Sequence, residues 1–255
     1  MKLTRAVCFL LSITLGGCAA WRSIDGPMGL LNDVLACKPQ PETLIVILPG
    51  AYDVPQDFVD QGFVSAVRKQ RIDADIQIVD AHIRYYTNQQ IVKRLEAEVV
   101  APAKAKGYKN IWFVGISLGG YGTLLYTAQN PGAIDGFFTM APYMGAKDIP
   151  EDIERQGGLK LWSSQATGNM DIDLWNSLKG YIDPPASFPQ AYIGFGLSDR
   201  FALPNSLFAA VLPKGRSFPI PGGHDWVTWK QLWDQFLSLA PLPKISPSTA
   251  QCEVQ

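Results

Sequence analysis

A serine between two glycines is the clearest chemical signal in this chain. Residues 115–119 read Gly-Ile-Ser-Leu-Gly and directly follow an apolar run at residues 111–114 that is typical of a β-strand. A strand that turns sharply into a helix strains the backbone at Ser117, and only small residues fit two positions away. The hydroxyl is then exposed at a helix N-terminus, where N–H groups stabilise negative charge. The motif predicts a nucleophilic serine; a structural Gly/Ser turn is the alternative.

A serine nucleophile needs a base that takes its proton, and the chain contains two histidines. His224 lies in a Gly-Gly-His-Asp loop after the last predicted strand, at the edge where open parallel sheets hold their sites. His82 precedes the serine and is predicted to line a loop or pocket, with substrate contact as an alternative. Either histidine could be structural, but the order serine, acid, histidine favours His224 as the base.

An acidic residue must orient the base, and three aspartates lie near predicted strand ends. Asp199 follows the strand at residues 190–196 and is the predicted acid, with Asp148 as a weaker substitute. Asp225 is adjacent to His224, but neighbouring side chains point apart, so it is predicted to cap the last helix.

An oxyanion requires two preorganised donors. The N–H of Leu118, one residue past the serine, is the first candidate. The second candidate is the N–H of Ala51, in the Pro-Gly-Ala-Tyr loop that follows the strand at residues 43–48.

Apolar strands alternate with helices along the chain, and this alternation requires a parallel sheet covered on both faces. Strands are predicted at residues 43–48, 75–80, 111–114, 136–141, 190–196 and 216–220. Helices are predicted from Asp53 to about Gln70, from an Asn88 cap to about Pro102, over residues 118–130 and over residues 225–239. The last helix carries an aromatic stripe that is predicted to be core.

Residues 142–189 break this rhythm and are predicted to form a small helical insertion, or cap, over the sheet. The domain organisation that follows is a signal peptide at residues 1–17, a linker at 18–40, one domain at 41–240 and a tail at 241–255.

A strand is followed by the sharp turn at Ser117, called the elbow, and by a helix; Asp199 and then Gly-Gly-His-Asp-Trp at residues 222–226 come later in the chain. This order resembles the α/β-hydrolase superfamily. Residues 118–122, Leu-Gly-Gly-Tyr-Gly, and the following Asn130-Pro131 are most similar to its serine carboxylesterases of the feruloyl/acetyl-esterase and S-formylglutathione-hydrolase type. Pro49 and Ile116 depart from the family, which often carries histidine there. The resemblance implies an α/β-hydrolase fold and ester hydrolysis.

The first residues have the form of an export signal: a basic start, an apolar stretch and Leu-Gly-Gly-Cys at residues 15–18. Those four residues resemble a bacterial lipobox, which implies that Cys18 is lipidated. Ala19 after the cysteine resembles outer-membrane sorting, so the expected location is the outer membrane, facing the periplasm. A buried first helix is the alternative.

Composition limits the partners. The net charge of −1 and the lack of Lys/Arg runs argue against nucleic acid, so the lipid is expected to provide the membrane contact. Of four cysteines, Cys37 and Cys252 remain as ordinary thiols that could pair in an oxidising periplasm, or stay free.

The sequence thus predicts a lipid-anchored serine hydrolase that cleaves a small carboxylic ester through Ser117, Asp199 and His224, without metal or organic cofactor. Thioester cleavage or acyl transfer by the same triad is an alternative. A non-catalytic envelope scaffold is the alternative from another class.

Overall fold

A seven-stranded sheet organises the computed structural model, which describes residues 22–36, 41–164 and 168–246. The strand order is β1-β3-β2-β4-β5-β6-β7, and every neighbouring pair is parallel except β1 with β3. The strands are β1 (Leu30–Asp33), β2 (Thr43–Leu48), β3 (Asp75–Val79), β4 (Asn110–Ile116), β5 (Gly136–Met140), β6 (Gln190–Gly196) and β7 (Ser217–Ile220).

Helices cover both faces of the sheet, as the alternating pattern predicted. They are α1 (Pro55–Asp60), α2 (Phe63–Lys69), α3 (Ile83–Thr87), α4 (Ile91–Leu95), α5 (Ala101–Ala105), α6 (Leu118–Gln129), α7 (Asp148–Arg155), α8 (Met170–Leu178), α9 (Ala202–Ala209) and α10 (Trp226–Leu239). A π-helical turn, Glu96–Val100, joins α4 to α5, and a 3-10 turn, Lys179–Ile182, follows α8.

Strand β2 shows how the sheet divides the core. Successive side chains of a strand point to opposite faces. Val46 and Leu48 therefore join the cluster that contains Leu124 of α6, whereas Ile45 and Ile47 join the cluster that contains Trp233 of α10. The prediction that the aromatic stripe of α10 is core is confirmed, because Trp229, Trp233, Phe236 and Leu237 are buried and Trp226 packs beside them.

Two predicted helices differ in detail from the structure. The helix predicted from Asp53 to Gln70 is divided by Gly62, whose φ of 85° is left-handed, so α1 ends and α2 begins there. Asn88 does not start the second helix: it closes α3, where its side-chain amide donates to the Arg84 carbonyl. Pro102 does not end the helical stretch: it lies in the first turn of α5, directly after the π-helical turn.

The folded unit extends beyond residues 41–240 at both ends. Strand β1 lies inside the predicted linker and pairs with β3 at the edge of the sheet. In the predicted tail, Leu242 and Ile245 are buried, and the Pro243 carbonyl accepts the N–H of Asp73. No helix in the described ranges is long and apolar enough to cross a membrane. Cys18, Cys37 and Cys252 lie outside the described residues.

Candidate active site

Ser117 lies at the sharp turn between β4 and α6, as predicted. Its φ of 50° and ψ of −112° are a conformation that non-glycine residues rarely adopt. The surrounding backbone holds this strain: the Ser117 N–H donates to the Met140 carbonyl at 3.0 Å, and its carbonyl accepts the N–H of Tyr143 at 3.0 Å.

The glycines around Ser117 are required by close packing. A Cβ on Gly115 would collide with the carbonyl of Gly119. A Cβ on Gly119 would collide with the carbonyl oxygens of Leu48 and Pro49, at the end of β2. Glycine at both positions lets the elbow form and lets the loop after β2 approach it.

The structure brings Ser117, His224 and Asp199 together. The Ser117 Oγ lies 2.9 Å from His224 Nε2, and His224 Nδ1 lies 2.8 Å from Asp199 Oδ2. The strands make this possible because β4 and β6 both end at the same edge of the sheet, and the loop after β7 runs beside the loop after β6. The N–H of Ser198 donates to the Gly222 carbonyl at 2.9 Å and joins those two loops.

Burial and hydrogen bonds fix the acid and the base. The side chain of Asp199 has no exposed surface, and its other oxygen accepts the N–H of Phe201 at 2.8 Å. The imidazole of His224 is held between the Phe201 and Trp229 rings, with centroid distances of 5.2 and 5.1 Å and nearly perpendicular planes. The ring therefore keeps one orientation toward Ser117.

The predicted helix cap Asp225 and the substitute acid Asp148 have different surroundings from Asp199. Asp225 is the N-cap of α10, as predicted, and accepts the N–H and the hydroxyl of Thr228 at 2.9 and 3.0 Å. The Thr228 N–H bond lowers the pKa of this carboxyl. Asp148 is exposed in the first turn of α7.

His82 is buried at the N-cap of α3, where its ring contacts the Tyr85 ring at 4.6 Å. Burial, followed by the positive charge of Arg22, lowers its pKa. No hydrogen bond found between described residues connects His82 to the Ser117, Asp199 and His224 side chains.

The two predicted oxyanion donors belong to the first residue of α6 and to the loop after β2. Leu118 is the first residue of α6, so its N–H has no partner within the helix. The loop that carries Ala51 is close to the serine, because a Cβ on Gly50 would lie 3.7 Å from Ser117 Cβ.

An aromatic wall, which the sequence did not predict, continues from the triad to the insertion. Tyr143 contacts the Phe201 ring at 5.7 Å and the Tyr121 ring at 5.2 Å. The Tyr121 hydroxyl donates to Asp171 at 2.6 Å, and Asp171 also accepts the N–H of Ala146 at 2.9 Å. The start of α8 is thereby attached to the elbow helix α6.

No group of three or more His, Cys, Asp or Glu side chains within the described ranges is arranged to hold a metal ion. The chemistry that the site can perform with its own residues is proton transfer from a serine hydroxyl to a histidine.

Comparison with solved structures identifies the fold as that of α/β-hydrolases. Est1E from Butyrivibrio proteoclasticus is 18% identical, covering 84% of this chain and 93% of its own, with a TM-score of 0.58; another structure of Est1E has ferulic acid bound. The S-formylglutathione hydrolase FrmB from Staphylococcus aureus is 12% identical over 78% and 81%, with a TM-score of 0.57. The fluorophosphonate-binding serine hydrolase FphF from Staphylococcus aureus is 13% identical over 84% and 98%, with a TM-score of 0.55.

No family model matches the sequence, and no curated protein is significantly similar to it.

Proposed function

We propose that this protein is a serine hydrolase that cleaves carboxylic esters through an acyl-enzyme on Ser117. One observation carries the proposal: a continuous hydrogen-bonded chain runs from the strained Ser117 through His224 to the buried Asp199. In acyl-transfer enzymes this arrangement activates the serine: the histidine accepts its proton, and the aspartate orients the histidine and stabilises the imidazolium. The fold shared with known esterases supports the same activity.

In the proposed mechanism, His224 accepts the hydroxyl proton while the Ser117 oxygen attacks the ester carbonyl carbon. The N–H groups of Leu118 and Ala51 would stabilise the oxyanion, and Asp199 would stabilise the imidazolium. Collapse of the tetrahedral intermediate breaks the ester C–O bond, and His224 returns the proton to the leaving alcohol. Water then attacks the acyl-enzyme with His224 again as base, which restores the Ser117 hydroxyl and releases the acid.

We further propose that short acyl chains are preferred. The described residues of the insertion contribute two short α-helices, α7 and α8, and a 3-10 turn, and the Tyr121–Asp171 bond holds α8 against the elbow helix. A lid of this size offers little surface for a long acyl chain. The Tyr143 and Phe201 rings supply an aromatic wall beside the triad that would suit a small aromatic or acetyl group.

The proposal can be tested on the purified full chain with a fluorophosphonate probe and p-nitrophenyl esters of increasing acyl length. We expect one adduct, on Ser117, because only a serine activated by a base reacts. The adduct and the ester turnover should disappear in Ser117→Ala and persist in Ser206→Ala, a matched change on the exposed face of α9. Labelling without turnover of any ester would favour a thioesterase or acyltransferase. Absence of labelling on folded protein would favour the alternative that the protein is a non-catalytic envelope scaffold.

We also propose that the protein is anchored by a lipid on Cys18 to the outer membrane, on its periplasmic side. The support is the lipobox-like Leu-Gly-Gly-Cys at residues 15–18. Cys18→Ser should release folded, active protein from the membrane fraction, as measured by fractionation and ester turnover. Recovery of the variant in washed outer membranes at the level of the native protein would contradict the anchor.

A further inference from the structure

Asp53 closes a small ring of backbone directly after β2. Its carboxylate Oδ2 accepts the N–H of Gly50 at 3.1 Å, and its own N–H donates to the Gly50 carbonyl at 3.4 Å. Ala51 lies inside this ring, so the direction of its N–H depends on how the ring is held. A local hydrogen bond from a backbone N–H to an aspartate side chain fixes the conformation of a turn that would otherwise be free to change.

The ring lies against the nucleophile. A Cβ on Gly50 would lie 2.5 Å from Asp53 Oδ2 and 3.7 Å from Ser117 Cβ, so the Asp53 carboxylate and the serine border the same glycine. Before Gly50, the chain is fixed by the close packing of Leu48 and Pro49 on Gly119. After Gly50, the hydrogen bonds with Asp53 hold it.

The surroundings of Asp53 disfavour its negative charge. Burial raises the pKa of Asp53, and the negative charge of Asp57 on α1 adds to this increase. The Gly50 N–H and the charge of His224 act in the opposite direction on this pKa. An acid whose pKa is raised in the folded state lowers folding stability as pH rises from its unfolded-state pKa through the raised pKa, so folding stability does not explain an aspartate here.

We propose, on the basis of the proposed function, that Asp53 is a positioning residue of the oxyanion hole. It holds the Gly50–Ala51 backbone so that the Ala51 N–H faces the oxygen that becomes negative when Ser117 attacks. Hydrogen-bond donors in such a hole accelerate the reaction only when they are held in place beforehand. The bond from Gly50 to Asp53 provides this preorganisation.

Two substitutions separate positioning from charge. Asp53→Asn keeps an oxygen that can accept the Gly50 N–H, whereas Asp53→Ala removes the acceptor. With p-nitrophenyl acetate, we expect Asp53→Ala to lower kcat about 10- to 100-fold with little change in KM. A displaced oxyanion donor stabilises the transition state less, whereas it contributes little to binding of the substrate. Asp53→Asn should restore most of kcat. Asp57→Asn is the matched control: this residue accepts the Val54 N–H in the same loop but does not bond to Gly50, and it should keep kcat.

A second measurement does not depend on catalysis. Amide hydrogen exchange of the peptide that covers residues 49–54 should be faster in Asp53→Ala than in the native protein, and restored in Asp53→Asn. An unchanged exchange rate, an unchanged kcat in Asp53→Ala, or equal losses of kcat in both variants would overturn the proposal. If the native protein turns over no ester, the proposed function fails, and the exchange rates still decide whether Asp53 holds the loop. If Asp53→Ala does not fold, Asp53→Asn decides alone, because a loss of kcat as large as that expected for Asp53→Ala overturns the proposal.

Discussion

Replacing His224 with alanine is expected to reduce kcat for a short p-nitrophenyl ester by about 10⁴- to 10⁶-fold, because triad members act as a unit. The Ser117 hydroxyl then loses its base, since His224 Nε2 lies 2.9 Å from it in the native protein. Single-turnover and steady-state kinetics on the folded variant would measure the loss.

His82→Asn is the matched control for this prediction. His82 is the other histidine of the chain, and asparagine is a good N-cap residue, so α3 should keep its start. We expect ester turnover close to that of the native protein, because His82 packs on Tyr85 and no hydrogen bond found between described residues joins it to the triad. A His224→Ala variant as active as His82→Asn would contradict the assignment of the base.

The parts of the fold that local sequence determines were predicted well. The elbow depends on glycines within two residues of Ser117, and the buried strands appear as continuous apolar runs. The topology rule that parallel strands end at one edge then places the loops after β4, β6 and β7 together. For this reason the proximity of Ser117, Asp199 and His224 could be anticipated from their order in the chain.

Features that depend on tertiary contacts could not be predicted. Strand β1 is four residues long and half exposed, so its apolar pattern is too short to distinguish from a linker. Asn88 has a side chain that can cap either end of a helix, and in the structure its N–H and its side-chain amide both donate to the Arg84 carbonyl, so it closes α3. The role of Gly62 depended on a left-handed φ that glycine permits but does not require.

The surroundings of the triad show the same limit. The Asp53–Gly50 bond joins residues three apart, and such a spacing in the sequence is common to many ordinary turns. The Tyr121–Asp171 bond joins residues fifty apart across the insertion, and nothing in either local sequence indicates the other. Sequence reasoning therefore locates the reacting groups better than the groups that position them or shape the pocket.

Asp199→Asn is expected to lower kcat about 10⁴-fold while leaving the fold intact, because the amide is isosteric but can donate to the imidazole. Donation to Nδ1 would place the histidine proton on Nε2, which then cannot accept the Ser117 proton. The buried position of Asp199 and its bond from the Phe201 N–H would keep the variant side chain in place. Rate measurements together with thermal unfolding would separate lost catalysis from lost stability.

Asp225→Asn makes the same substitution immediately after His224, and it distinguishes the orienting acid from the nearest acid in sequence. Asp225 caps α10 through Thr228, and asparagine caps helices about as well, so neither ester turnover nor Tm should change much. A large loss of kcat in Asp225→Asn with a mild effect of Asp199→Asn would reverse the assignment. The expected contrast arises because Asp199, and not the sequence neighbour, lies 2.8 Å from Nδ1 of the base.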